Sequence, residues 1–367
     1  MRTSRGFDPT SVNLTDPDID LKEIICSLQV SENEYNGNLG ARVSSIFVIF
    51  VVSTAVTLFP VIARQKPTWR IPAGLYIFAR YVGTGVIIAT AFIHLLDPAY
   101  EAIGGTSCVG LTGYWAEFPW CPALVLLGAV MTFLTELGAK CYIDAKYGVQ
   151  TEREIRKIVV RQPDPATHSP CGMLEPSCGQ LKTNPDEKPT DLSELGDRES
   201  LERMAYLQQI GAFLILEFGI IFHSVIIGLN LGVVGEEFNT LYPVLVFHQS
   251  FEGLGIGARM ASIPFPGKRN WLPWLLCLAY GLTTPLSIAI GLALRTTYEP
   301  NSFTANVVSG VLDSLSAGIL IYTGFVDLLA RDFLFECDRT RHARQLVRMV
   351  SYTLLGAGVM ALLGKWA

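Results

Sequence analysis

Long apolar stretches separated by short charged ones are the feature that most limits how this chain can fold. Runs near 41–63, 74–96, 122–144, 206–233, 240–262, 271–295, 303–330 and 346–364 are each predominantly apolar. A helix needs roughly 20 such residues to cross a hydrocarbon core about 30 Å thick, and in lipid every backbone N–H and C=O must be paired internally. The runs therefore predict an all-α membrane protein with about eight spanning helices. Composition agrees: half of the residues are hydrophobic and only 17% are charged, against about 25% in soluble domains. The net charge of -5 is too small to argue for a partner, and nothing in the chain points to nucleic acid.

Basic residues in the connections set the expected orientation, because Lys and Arg concentrate on the cytoplasmic side. With the N-terminus outside, the inner connections hold Arg64, Lys66 and Arg70, then Lys140 through Arg203, then Arg259, Lys268 and Arg269, then Arg331 through Arg348. The stretch from Asp97 to Cys121 has no Lys or Arg. Both termini are thus expected outside. The glycosylation sequon Asn13-Leu14-Thr15 is compatible with that, and the polar N-terminal stretch does not look like a cleavable signal peptide.

This divides the chain into an extracellular tail (1–40), three spans (41–146), a cytoplasmic loop (147–205) and five further spans (206–367). The loop is rich in Pro, Asp, Glu, Lys, Ser and Thr and is expected to be largely disordered. His168, Cys171 and Cys178 are its only soft ligands, and their spacing matches no structural zinc module. Of the eight cysteines, Cys26, Cys108 and Cys121 fall outside. A Cys108–Cys121 bridge across one external loop is the expectation on an oxidising face, the alternative being two free thiols.

Ionisable residues inside spanning helices are costly and tend to mark an ion or substrate path. The fourth span carries Glu217, His223 and Ser224; the fifth carries His248, Gln249 and Glu252. Four residues apart on one helix, His248 and Glu252 lie on nearly the same face. A short connection makes the two spans antiparallel neighbours, so His223 can meet that face at similar depth. Imidazole nitrogens with a carboxylate suit borderline divalent cations. A single buried His is more often a satisfied hydrogen-bond partner; two with a glutamate at this spacing predict a metal site. His223, His248 and Glu252 are its expected ligands, with Gln249 and Ser224 beside them. An incomplete shell of this kind can release its ion.

Secondary pathway positions are His94 and Asp97 at the outer end of the second span, Asn230 two turns above His223, and Glu217 toward the inner exit. Gly228, Gly232, Gly253, Gly255 and Gly257 read first as close-packing sites. Thr283-Thr284-Pro285 reads as a kink that frees a carbonyl.

His223-Ser224-x-x-x-Gly228 followed by His248-Gln249-x-Phe251-Glu252-Gly253 resembles the signature of the ZIP family of zinc/iron-regulated metal transporters. Asn36 through Arg42, Ala91 through Pro98 and Ser316 through Tyr322 look like its fungal plasma-membrane zinc transporters. The resemblance implies a three-two-three helix bundle with inverted symmetry, frequent homodimers, and movement of metal into the cytoplasm. In some members the bundle carrying the fourth and fifth spans is displaced during transport. Zinc would be the transported substrate rather than a cofactor, with iron and manganese as further candidates. Where some members carry a carboxylate four residues after the fourth-span histidine, this chain has Ile227, which predicts one principal site. The main rival from another class is a zinc-dependent intramembrane hydrolase, which needs a third firm ligand and a base for a metal-bound water. A scaffold that binds metal only for stability is the second.

Overall fold

The computed structural model describes residues 21–29, 35–65, 72–143, 145, 192–265, 271–335 and 343–366. Among these, all regular structure is helical. A short helix α1 (Leu21–Gln29) precedes the first span, α2 (Leu39–Gln65). The second span joins α3 (Ala73–Ala89) to α4 (Asp97–Ile103), and the third is α5 (Trp120–Ile143). Then come α6 (Leu192–Val233), α7 (Phe238–Ser262), α8 (Leu272–Ala293), α9 (Phe303–Tyr322), which continues as π-helix over Thr323–Phe335, and α10 (Ala343–Leu363).

All eight apolar runs are therefore helical. Seven of these spans are long and apolar enough to cross a membrane. The remaining one, α7, is 25 residues long but less apolar, because it carries His248, Gln249, Glu252 and Arg259. The fourth helix is longer than expected: it already starts at Leu192, inside the 147–205 loop expected to be largely disordered. The N-terminal sequon, His168, Cys171 and Cys178 lie outside the described residues.

The second span is not a regular α-helix throughout. Between α3 and α4 it widens into a π turn over Thr90–Leu96, closed by the Asp97 N–H donating to the Phe92 carbonyl. Pro98 comes directly after. It has no N–H to give, and its ring crowds the carbonyl four residues back, that of His94. A wider turn just before it relieves both problems, and π turns of this kind often sit at functional positions.

The spans pack in two groups. In one, α2 lies against α7 and α8, with α6 against α8; in the other, α3 pairs with α10 and α5 with α9. The groups meet through α3 on α7 and α6 on α9. At the first of these seams Gly83 and Gly255 face each other so closely that a Cβ on either would fall on the other's Cα.

Arg42 ties the first group together. It is fully buried and sits just after a tight turn in which Gly37 and Asn38 have φ of 93° and 53°. Its guanidinium donates to the carbonyls of Gly37, Leu231, Gly232 and Val234 and to Asn36 Oδ1. It lies between the rings of Tyr35 and Phe238, 4.8 and 4.5 Å from their centroids. Leu231, Gly232 and Val234 are at the C-terminal end of α6, where helix carbonyls lack intrahelical partners. Arg42→Leu leaves those acceptors bare and should destabilise the protein by about 3 kcal/mol or more. Arg42→Lys should recover only part of this, since a point-like ammonium cannot replace a planar fork. Thermal unfolding in detergent, followed by size-exclusion fluorescence, checks both.

The expected Cys108–Cys121 bridge is not formed. Cys108 is bonded instead to Cys26 of α1, and its N–H donates to Gln29 Oε1 at 2.6 Å. Cys121 opens α5, where it is buried against α9 and accepts a hydrogen bond from Ser314 Oγ at 3.5 Å. Helix packing thus removes it from the loop, while α1 brings a partner from 82 residues away. Non-reducing peptide mapping should recover the Cys26–Cys108 link in a Cys121→Ser variant and lose it in Cys26→Ser. Losing it should cost about 2–4 kcal/mol of stability.

Candidate metal centre

The antiparallel pair α6 and α7 places His223 and His248 side by side, with ring centroids 5.4 Å apart. One turn along α7, Glu252 Oε2 lies 3.9 Å from His248 Nε2. His223, Ser224, His248, Gln249 and Glu252 are all at most 2% exposed. Burial at this level normally requires a hydrogen-bond partner for every polar atom. Here both ring nitrogens of His223, Ser224 Oγ, His248 Nε2, Gln249 Nε2 and Glu252 Oε1 have none within the protein. Ring contact, the His248–Glu252 approach and the shared Tyr280 hydroxyl thus bring His223, His248, Gln249 and Glu252 together, while Ser224 is buried and unpartnered next to His223 in the chain.

Two further side chains complete the surroundings. His94 is expected from the sequence as an entrance residue at a helix end; the π turn instead delivers it into the cluster. It is buried, and its ring meets that of His248 edge to face at 4.8 Å. Its Nε2 lies 3.2 Å from the Met360 carbonyl of α10. Tyr280 of α8 is not anticipated by the sequence. Its hydroxyl lies 2.9 Å from Gln249 Oε1 and 3.2 Å from Glu252 Oε2. As a donor to either oxygen it fixes that side of the centre and leaves Glu252 Oε1 free. The aromatic residue five places before Pro285 gives no periodic or motif signal of this role.

The pathway positions divide. Glu217 is 5% exposed, with Oε2 unpartnered, on the N-terminal side of His223 along α6. Asn230 accepts from the Tyr298 hydroxyl at 3.2 Å, on the opposite side. Asp97 is exposed at the start of α4 and is not part of the cluster. Among the described residues no three His, Cys, Asp or Glu side chains are already arranged to hold one metal ion. Ligation at the usual distance of about 2 Å requires side-chain movement.

The Gly228 Cα packs on α8, where a Cβ would meet Ser287 and the Thr284 carbonyl. A close-packed seam of this kind between α6 and α8 holds the His223 face at its depth. The sequence profile described as ZIP zinc transporter matches residues 39–364. The chain belongs to the ZIP zinc transporter family.

Relatives span nearly the whole of this ZIP chain. It is 54% identical to zinc-regulated transporter 1 of Saccharomyces cerevisiae, over 99% of this chain and 98% of that one. It is 37% identical to zinc-regulated transporter 1 of Schizosaccharomyces pombe, over 94% and 89% of the two chains. Fe(2+) transport protein 1 of Oryza sativa is 31% identical over 90% and 84%. The ZIP protein is thus an integral membrane protein of a transporter family, not an enzyme, and the hydrolase reading falls.

Proposed function

We propose that this ZIP protein carries zinc into the cytoplasm through a site built by His223, His248 and Glu252. The observation that supports this most is the set of buried, unpartnered nitrogen and oxygen atoms on α6 and α7. Leaving so many polar atoms unsatisfied costs free energy, and an arriving cation offsets that cost. In this reading His223 and His248 donate ring nitrogens and Glu252 donates the oxygen that Tyr280 leaves free. Gln249 and Ser224 contribute weaker oxygens or hold water. His94, edge-on to His248, receives the ion from the Asn230 side. Glu217 draws it onward.

The same proposal sets both termini outside and the membrane as the plasma membrane, in line with the distribution of basic residues. It keeps 147–205 as a cytoplasmic loop and 206–367 as the part carrying the metal pathway, and takes homodimerisation from the family resemblance. Zinc is the preferred ion because the fungal relatives are named for it; the name of the rice relative makes iron the competitor to include.

Radioactive zinc uptake into cells lacking their own zinc importers tests the reading. Saturable uptake, reduced more by unlabelled zinc than by iron or manganese, is the expected result. Wild-type protein that reaches the surface and carries no metal would overturn it.

A further inference from the structure

Beyond the metal centre, α7 carries Arg259. It lies seven residues past Glu252, close to two full turns and about 10 Å along the axis, so both project from nearly the same face. A cation leaving the centre toward the basic end therefore meets a guanidinium, not a carboxylate. Arg259 opens into a cavity of about 690 Å³ between α2, α3, α6, α7 and the π segment after α9.

The charges around this cavity do not balance. Arg64, Arg80, Arg259 and Arg331 line it, against Asp327 and Asp332. Arg80 and Asp332 neutralise each other in a bidentate pair, at 3.0 and 2.5 Å. Asp327 faces Arg331 and Arg259 but shares its other side with Glu136 of α5. Four guanidinium groups line the cavity against two carboxylates, and with Glu136 behind Asp327 counted the excess is still one positive charge. Arg259 has donors to spare: its Nη2 reaches Thr84 Oγ1 at 3.3 Å and its Nε has no hydrogen-bond partner, although the charges of Asp332 and Asp327 act on it. A guanidinium withdrawn from water with an open N–H calls for an anionic acceptor. Guanidinium forks around one space match phosphate oxygens bidentately, and a phosphate group also brings the negative charge that the excess calls for.

We propose that this inner vestibule is an oxyanion site that takes a phosphate group, with Arg259 as its innermost ligand and Arg331 and Arg64 at its mouth. The ligand is either soluble phosphate or the phosphate of an anionic lipid headgroup; both present the same oxygens. Occupation cancels the excess positive charge on the exit route of a cation. The site stands on the cavity and its side chains, independently of which residues hold zinc.

The test uses the purified full-length protein without zinc, read by thermal unfolding. One arm titrates inorganic phosphate in detergent at constant ionic strength, with chloride as the comparison. The other compares phosphatidylcholine nanodiscs with and without phosphatidic acid. A saturable rise in Tm is expected in at least one arm, and the arm that responds identifies the source. Arg259→Gln should weaken the response about tenfold, the loss of roughly one charge-assisted hydrogen bond. Arg331→Gln and Arg64→Gln, at the mouth, should weaken it in the same direction and serve if the buried variant does not fold. No rise beyond chloride in either arm, or an unchanged response in all three variants, would overturn the proposal. Failed zinc uptake would leave this readout untouched, so the two readings fail separately.

Discussion

Alanine at His248 or at Glu252 is expected to lower zinc uptake at least about 100-fold at matched surface expression. Changing groups that merely orient a metal ligand typically costs 10–100-fold, and these residues are proposed to touch the ion itself. The variants should not fold less well. Glu252 is wholly buried with one oxygen unpartnered, and His248 Nε2 is likewise unpartnered, so both positions cost stability while the centre is empty. The expected pattern is therefore equal or higher Tm without zinc, together with loss of the rise that zinc produces. That rise amounts to about 2.7 kcal/mol when free zinc is 100 times its Kd. Uptake within a few-fold of wild type in both variants would remove the site from α6 and α7. Tyr280→Phe offers a graded comparison: it keeps the ring and removes the hydroxyl between Gln249 and Glu252. A rise in KM larger than the fall in maximal rate is expected.

Valine at Gly83 or Gly255 should have the second largest effect, and here the loss is structural. The two glycines meet backbone to backbone between α3 and α7, and a Cβ on either falls on the backbone of the other. Backbone cannot yield as a flexible side chain does. The helices must separate, opening voids beside Val82, Val86 and Ile256, which are almost wholly buried. Overpacking of this kind costs at least about 1–3 kcal/mol even where neighbours adjust. Neither variant should give a monodisperse species on size exclusion. Gly74→Ala, on the same helix with nothing near its Cα substituent, should behave as wild type. Normal behaviour of both valine variants would mean that α3 and α7 are not in backbone contact.

Much of the site is legible in the sequence, because His248 and Glu252 are four residues apart on one helix and geometry then leaves little choice. His223 needs only the short connection between α6 and α7. His94 is different. Its position comes from a π turn forced ahead of Pro98, and such a turn shifts the facing of every residue within it. Regular periodicity assumes about 3.6 residues per turn and places it at a helix end. The disulfide expectation fails for a related reason: loop spacing favours near pairs, while α1 supplies Cys26 from far away in the chain. Arg259, at the end of the run near 240–262 and counted there with the following connection, lies within α7 and lines a cavity that no periodicity announces.

By itself the sequence determined the all-helical membrane architecture, since runs of this length and apolarity have no other way to satisfy their backbone in lipid. It also determined which polar side chains share a helix face, a property of local geometry. Only the tertiary structure decided which faces meet: Tyr280 on Glu252, His94 on His248, Arg42 on the end of α6, and four arginines around one cavity. Those contacts join residues far apart in the chain, and they depend on helix crossings and backbone irregularities that no local pattern records.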